Sequence, residues 1–485
     1  MTDPTPPRWR TALWRGETAP IPVVRTPTRA VYPRRGPGDD AELAAVDQGA
    51  SLALRVGTLL LSGGAPTEEV EAAVFAVGSA VGLGVFEVDI TYGSIIISIA
   101  PTNDRPGLAD MRVVRGRSTH FARVAAAHQL VLDLSEGRLP PDEVDGRLST
   151  IEHLRRPYPR WFVIVAFGVL ASAITVQLGA LSTDSATPLR AKDFITPSVA
   201  FLAAMATGLV GSRMARRRVP TFFVNLALAL GVAMIAVGIR GLESRFEELP
   251  FQASLVIIGG IIALLPGMSL MVAAQEAIGS FTVTAAARIV ELTFATVGIV
   301  AGVLLALNVA GALDITMAVT VRPDASPATI TTAVIAGTVA AAAAAITYQS
   351  PAQLAAVGGA LAGLGIFVYG TVSTIDSFSG SPGATTAAAA IVIGFTSRLL
   401  GARLRVPPVL LTAAGIIPLL PGLAVYSGLL GISSDSPDKG IASLVGAATI
   451  AIALAAGVLL GQLVAGRLLR RPSLVPPRDV RRRLR

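Results

Sequence analysis

GIIALLPG at 260–267 and GIIPLLPG at 415–422 agree at seven of eight positions, 155 residues apart. AGVLL recurs at the same offset, at 301–305 and 456–460. Apolar composition raises the rate of chance matches, but two matches at one ungapped offset mark an internal duplication. Both Pro-Gly pairs lie inside long apolar runs. Proline there removes a backbone N–H and pushes against the carbonyl four residues earlier; glycine lets the following turn unwind. The motif predicts two helices broken at equivalent places.

Outward from the motif, ten apolar runs occupy about 161–180, 195–212, 221–239, 251–273, 286–308, 328–347, 351–371, 385–400, 407–430 and 441–465. Each is near the ~20 residues that a bilayer-spanning helix needs. The offset covers five runs, so the fourth matches the ninth and the fifth matches the tenth. An odd number of spans per unit turns the second unit over. The expected fold is membrane all-α: ten transmembrane helices as a 5+5 inverted repeat, an architecture suited to alternating access. Of the 485 residues, 52% are hydrophobic and 15% charged, against about 25% charged in a soluble chain. Mean hydropathy is +0.64. An ordinary soluble enzyme is excluded.

The polar remainder sets the expected domains: a disordered basic arm (1–38), a cytoplasmic α+β domain (39–157), membrane repeats 158–310 and 311–466, and a basic cytoplasmic tail (467–485). The first of these is rich in Pro and Arg without hydrophobic period. In the second, helical periodicity runs from Ala41 to Leu61 and stops at Ser62-Gly63-Gly64. Thr67 reads as an N-cap hydroxyl ahead of Glu68 and Glu69. VFEVDIT (85–91) and SIIISIA (94–100) flank Tyr92-Gly93 as a hairpin, with a third strand at 111–114. Helices follow at His120–Leu134 and Pro141–Leu154.

The start MTDPTPPRWR has no apolar h-region, which predicts no cleaved export signal and an N-terminus inside. Arg and Lys in short loops then number sixteen inside, eight of them from Arg467 to Arg485, and six outside (Arg190, Lys192, Arg240, Arg245, Arg322, Lys439). This predicts a multi-pass protein of the plasma (inner) membrane with both termini cytoplasmic. The basic tail suits anionic lipid headgroups better than nucleic acid.

No cysteine is present, and the three histidines precede the first apolar run. No thiolate or intramembrane histidine metal site is expected, and no cofactor. Without a Walker A sequence, ATP is not the expected energy source. Ser62, Asp89 and His120 supply the residue types of a hydrolase triad, but no G-x-S-x-G elbow surrounds a serine. The enzyme alternative is the weakest.

The chemistry therefore centres on the membrane part. Broken helices at Pro266-Gly267 and Pro421-Gly422 free carbonyls for an ammonium and half-helix N-termini for a carboxylate, which suits a small zwitterion. Asn225, polar within the third run, and Tyr426, one turn past the second Pro-Gly, are further substrate-binding candidates. Glu291 lies within an apolar run, and Glu276 ends the run holding the first Pro-Gly. Intramembrane carboxylates are costly and often belong to proton relays. Arg288, one turn before Glu291, is placed to pair with it. At the repeat offset, Glu276 and Glu291 correspond to Gly431 and Gly446, so symmetry does not account for the acids.

LLLSGGAPTEEVEAAVFAVGSAVGLG (59–84), followed by the SIIIS strand, resembles the start of the soluble domain of the threonine/serine exporter family (ThrE type). LLPGMSLMVAAQEAIGSFTVTAAARIVE (264–291) and LLPGLAVYSGL (419–429) are similar to that family's two Pro-Gly segments. The resemblance covers about residues 41 to 465 in order. It implies export of threonine and serine driven by the proton-motive force, and highlights Pro266, Gly267, Glu276, Arg288, Glu291, Pro421 and Gly422. The family's acid after the first Pro-Gly is usually Asp, where Glu276 stands here. Relatives with the soluble and membrane parts on separate chains are associated with dicarboxylate export, which stays an alternative. The expected partners are thus the lipid bilayer, a small amino acid and protons; self-association is left open.

Overall fold

The computed structural model describes residues 39–101, 107–114, 119–180, 194–243, 251–315, 317, 327–375, 381–433 and 436–469. The expected basic arm, the tail from residue 470, and Arg190, Lys192, Arg245 and Arg322 lie outside the described residues. The chain divides into two compact units, Met1–Ala45 and Val46–Arg485. Of the first, only the opening turns of helix α1 are described, and all contacts below lie within the second.

The polar segment opens with α1 (Asp39–Ser62) and α2 (Thr67–Ala80), followed by strands β1 (Phe86–Ile90), β2 (Ser94–Ile99) and β3 (Leu108–Val113). The strands form an antiparallel sheet in the order β1-β2-β3, with Ile90 opposite Ile95 across the Tyr92-Gly93 turn. Ile95, Ile97 and Ile99 are buried while Ser98 is exposed, the period-two pattern of a strand with one packed face. Helix α3 (Phe121–Ser135), a short 3-10 turn (Pro141–Glu143) and α4 (Val144–Glu152) complete the segment. Arg55 of α1 ties α4 down, donating to Glu152 at 2.7 and 2.9 Å and to Asp145.

Among the described residues, eight helices are long and apolar enough to cross a bilayer: α5 (Arg160–Ala180), α6 (Ile195–Arg216), α7 (Thr221–Glu243), α10 (Thr282–Ala312), α11 (Pro327–Thr347), α12 (Ala352–Ser373), α13 (Pro382–Leu404) and α16 (Pro437–Leu468). Two further runs form bent pairs. Helix α8 (Ala253–Leu264) meets α9 (Gly267–Ile278) at 49°. Helix α14 (Pro408–Gly415) leads through a 3-10 turn (Ile417–Leu419) into α15 (Gly422–Ser433), with a bend of 42°. The chain is thus a multi-pass membrane protein, with eight to ten candidate spans among the described residues.

Small residues set the helix spacing. A Cβ on Gly298 or Gly302 of α10 would lie 2.6 or 2.5 Å from the carbonyl oxygens of Phe222 and Leu226 on α7. In the second half, Gly457 and Gly461 of α16 stand in the same relation to Ala387 and Ile391 of α13, at 2.7 and 2.1 Å. Helices in lipid gain no hydrophobic drive toward each other, so close backbone approach supplies the packing. Gly461→Leu should therefore destabilise the protein by about 1–3 kcal/mol or more through overpacking. Gly466→Leu, where a Cβ meets nothing within 4 Å, should not. Thermal midpoints of the detergent-solubilised variants compare the two.

Candidate functional site

The two breaks share one local geometry. A residue before proline is driven out of the helical region, and Leu265 (φ −62°, ψ 129°) and Leu420 (φ −64°, ψ 142°) both are. Past each proline the glycine N–H reaches back two residues: Gly267 N donates to the Leu265 carbonyl and Gly422 N to the Leu420 carbonyl, both at 2.8 Å. These are γ-turn bonds. Each helix then resumes, with Leu270 N bonded to the Pro266 carbonyl and Val425 N to the Pro421 carbonyl.

The breaks also meet. A Cβ on Gly267 would lie 3.1 Å from Leu420 Cδ1, and one on Gly422 would lie 2.1 Å from Ile262 Cγ1. Each glycine thus packs against the other motif. Gln177 of α5 donates from Nε2 to the Pro418 carbonyl at 3.0 Å, supplying a donor in the interrupted stretch. Gln177 Oε1 and the Tyr426 hydroxyl are both buried without a hydrogen-bond partner. Asn225 Nδ2 donates to the Ala295 carbonyl at 3.2 Å, a bond between α7 and α10.

The charged candidates gather where α9 ends. Glu276 and Arg288 are each 1% exposed, and Arg288 Nε donates to Glu276 Oε2 at 2.6 Å. The other carboxylate oxygen, Oε1, accepts from Thr67 Oγ1 at 2.7 Å. Arg288 Nη2 is buried with no hydrogen-bond partner. The expected Arg288–Glu291 pair does not form, because Arg288 turns inward to the buried acid. Glu291 is exposed and instead accepts from the Tyr92 hydroxyl at the tip of the β1-β2 hairpin. The Arg288 guanidinium lies 6.0 Å from the centroid of that Tyr92 ring. With 31 residues, α10 is about 46 Å long at 1.5 Å per residue, well beyond a ~30 Å hydrocarbon layer. Its first turns, which carry Arg288 and Glu291, can run beside the hairpin for that reason.

Thr67 is not the N-cap. Pro66 takes that position, and the Thr67 hydroxyl is spent on Glu276 of another element. The carboxylate of Glu276 therefore sits at the N-terminal end of α2, where the helix dipole favours negative charge. The turn before it approaches the first break: Gly64, at φ 91°, would bring a Cβ within 2.5 Å of Met268 Cε. Only glycine suits both the left-handed backbone and that approach.

Further contacts tie the polar segment to the loops at helix ends. Phe121 N and Ala122 N, at the start of α3, donate to the Tyr348 and Gln349 carbonyls at 3.0 and 3.2 Å, between α11 and α12. Arg405, after α13, donates to Asp133 at 3.0 Å and to Glu136 at 2.9 Å. Burial pushes the Glu69 carboxyl up to about 7, against the pull of Arg398. His128 is pushed down to about 4 by burial and by Arg398 and Arg405. Among the described residues, no group of acids and histidines could hold a metal ion. The hydrolase set is not assembled: Ser62 donates to the Leu59 carbonyl, and His120 Nδ1 accepts from Arg123 N as the cap of α3.

Thr67, Tyr92 and Gln177 were not legible as site residues. Thr67 carries a capping pattern, Tyr92 a hairpin turn, and Gln177 is a single amide in an apolar run. Their partners stand 209, 199 and 241 residues away.

Facing broken helices, with a buried ion pair where one of them ends, are an arrangement suited to membrane transport. Comparison with known proteins gives the family. The sequence model described as "Putative threonine/serine exporter" matches residues 51–310, and that described as "Threonine/Serine exporter, ThrE" matches 333–464. The chain is 31% identical over 432 residues to the "Threonine/serine exporter" of Corynebacterium glutamicum, covering 88% of this chain and 84% of that one. It is 30% identical over 464 residues to the "Probable threonine/serine exporter" of Mycobacterium tuberculosis, covering 93% and 81%. The chain belongs to the threonine/serine exporter family. No solved structure matches it.

Two stability tests follow from this geometry. Breaking a buried pair strands a charge, at a cost of about 3–5 kcal/mol, whereas replacing both partners with apolar groups is often neutral. Arg288→Met alone should lower the thermal midpoint sharply, and adding Glu276→Leu should restore most of the loss. Glu69 supplies the pH test. Its folded carboxyl sits at about 7 against 4.5 unfolded, so its contribution is full below the unfolded value and is lost as pH rises through about 7. Glu69→Gln should flatten the fall of the thermal midpoint between about pH 5 and 8.

Proposed function

We propose that this chain is a secondary transporter that exports small amino acids, threonine and serine, from the cytoplasm across the plasma membrane. Proton antiport drives it, and Glu276 carries the exchanged proton. The observation that carries the reading is the Glu276–Arg288 pair, two charges 1% exposed at the end of a broken helix. Such a pair is expensive to bury. It also has no counterpart in the second half, where Gly431 and Ser443 stand at the equivalent positions. Glu291, exposed and held by Tyr92, is the less suited of the two acids.

The proposed membrane domain has ten crossings arranged as a 5+5 inverted repeat. The Thr67–Glu276 bond supports this. It ties the end of α9 to the segment that precedes α5, and after crossings by α5, α6 and α7 the chain returns to that side only if α8–α9 crosses too. Arg405 returns the end of α13 to the same segment. Gln275 Nε2 donates to Gln462 Oε1 at 3.0 Å, bringing the end of α16 beside the end of α9. That requires α14–α15 to cross as well. The matching γ-turns and glycine contacts support the duplication. The polar segment and both termini lie in the cytoplasm, on the side that the arginine asymmetry favours.

In this scheme the facing breaks form the centre about which the halves exchange, with substrate passing between Pro266-Gly267 and Pro421-Gly422. Protonation of Glu276 removes the charge that holds Arg288 and weakens the Thr67 bond, so proton binding and the position of the polar segment are linked. Cells preloaded with a threonine dipeptide should release threonine faster with the protein than without it, and an uncoupler should abolish the gain. Glu276→Gln should lose the uncoupler-sensitive part, while Glu291→Gln keeps it. Unchanged threonine efflux would overturn the substrate assignment and turn attention to dicarboxylates; efflux indifferent to the uncoupler would replace the transporter with a channel.

A further inference from the structure

The guanidinium of Arg288 is left half used. A pair built only to neutralise itself would set both carboxylate oxygens against the Nε and Nη2 edge of the arginine, the bidentate arrangement that arginine favours. Here Glu276 gives only Oε2 to Arg288 Nε and turns Oε1 to the Thr67 hydroxyl. Nη2 stays buried without an acceptor in a residue 1% exposed. Leaving a charged donor unsatisfied in the interior is costly, so the site has room in its bonding for one more anionic oxygen.

We infer that the Glu276–Arg288 pair is the recognition site for the charged head of an α-amino acid. The α-carboxylate takes the free Nη2 edge of Arg288, and the α-ammonium takes Glu276 in place of Thr67. This deepens the export reading and rests on it. A zwitterion is the ligand that such a pair can accept at no net change in charge, because each end meets an opposite partner. A dicarboxylate sets a second negative charge against Glu276 and is disfavoured by the same geometry. One carboxylate then serves ammonium and proton in turn, as an exchanger requires.

The turn from Gly63 to Thr67 is the cover of this site. Its five residues are all buried, Gly64 lies against Met268 beside the first break, and Thr67 occupies the Glu276 oxygen assigned to the ammonium. Because Ser443 replaces Arg288 and Gly431 replaces Glu276 in the second half, one such site exists per chain rather than two.

The test uses the full chain reconstituted in vesicles of phosphatidylethanolamine and phosphatidylglycerol, with radiolabelled threonine. Threoninol, which lacks the carboxylate, and N-acetylthreonine, which lacks the ammonium, should each compete at least tenfold more weakly than serine. Arg288→Lys should raise the threonine KM at least tenfold and narrow the gap between serine and threoninol. Thr67→Val should lower the KM, because the competing hydroxyl is gone. Should Arg288→Lys not accumulate, Glu276→Gln with Arg288→Gln keeps the site neutral and is expected to fold but not to transport threonine. Threonine transport by the unaltered chain with threoninol competing as well as serine, or with the KM of Arg288→Lys within twofold, overturns the inference and leaves the export reading intact. No threonine transport by the unaltered chain overturns both.

Discussion

A proline inside a membrane helix leaves a carbonyl without its amide partner where no bulk water can replace it. Irregular backbone at membrane depth persists only where protein or a wet cavity satisfies it. The two Pro-Gly breaks meet this constraint by facing each other. The γ-turn at each break returns one N–H to the chain, Gln177 supplies a donor to the Pro418 carbonyl, and each glycine receives an apolar side chain of the opposite motif. The centre of the membrane part is organised around that mutual contact. Long glycine-faced helices pack outside it, α7 on α10 and α13 on α16.

The second organising feature is the attachment of the polar segment. It is joined to helix ends by side chains and by backbone alike, through Glu276, Glu291, the Tyr348-Gln349 loop and Arg405. Of these contacts, the Thr67–Glu276 bond is fully buried and reaches a charged pair, so a change of charge at Glu276 is felt by α2 directly. Partly exposed pairs such as Arg405 with Asp133 and Glu136 contribute orientation more than stability. The sheet takes part through one hairpin tip, where Tyr92 meets both Arg288 and Glu291.

Much of the fold was legible because its signals are local. Apolar length marked the ten runs, and each coincides with one long helix or one bent pair. Proline chemistry located both interruptions to the residue, since Leu265 and Leu420 leave the helical region for a reason written in the residue that follows each. β-branched runs around Tyr92-Gly93 gave the hairpin. The local signals misled at Thr67, whose capping pattern is ordinary but whose hydroxyl is taken by a carboxylate 209 residues away. They misled again at Arg288, where one-turn spacing favours Glu291 and burial favours Glu276.

The sequence by itself determined the membrane class, the ten apolar runs, the two Pro-Gly breaks and the short list of acids. Periodicity, hydropathy and proline geometry act within a few residues, so they can be read one segment at a time. Only the tertiary structure decided that the breaks face each other, that Glu276 rather than Glu291 is the buried acid, and that Thr67 and Tyr92 belong with them. Those facts depend on which distant side chain arrives at an unsatisfied group, and in a chain packed by small residues that choice is made by the assembled helices.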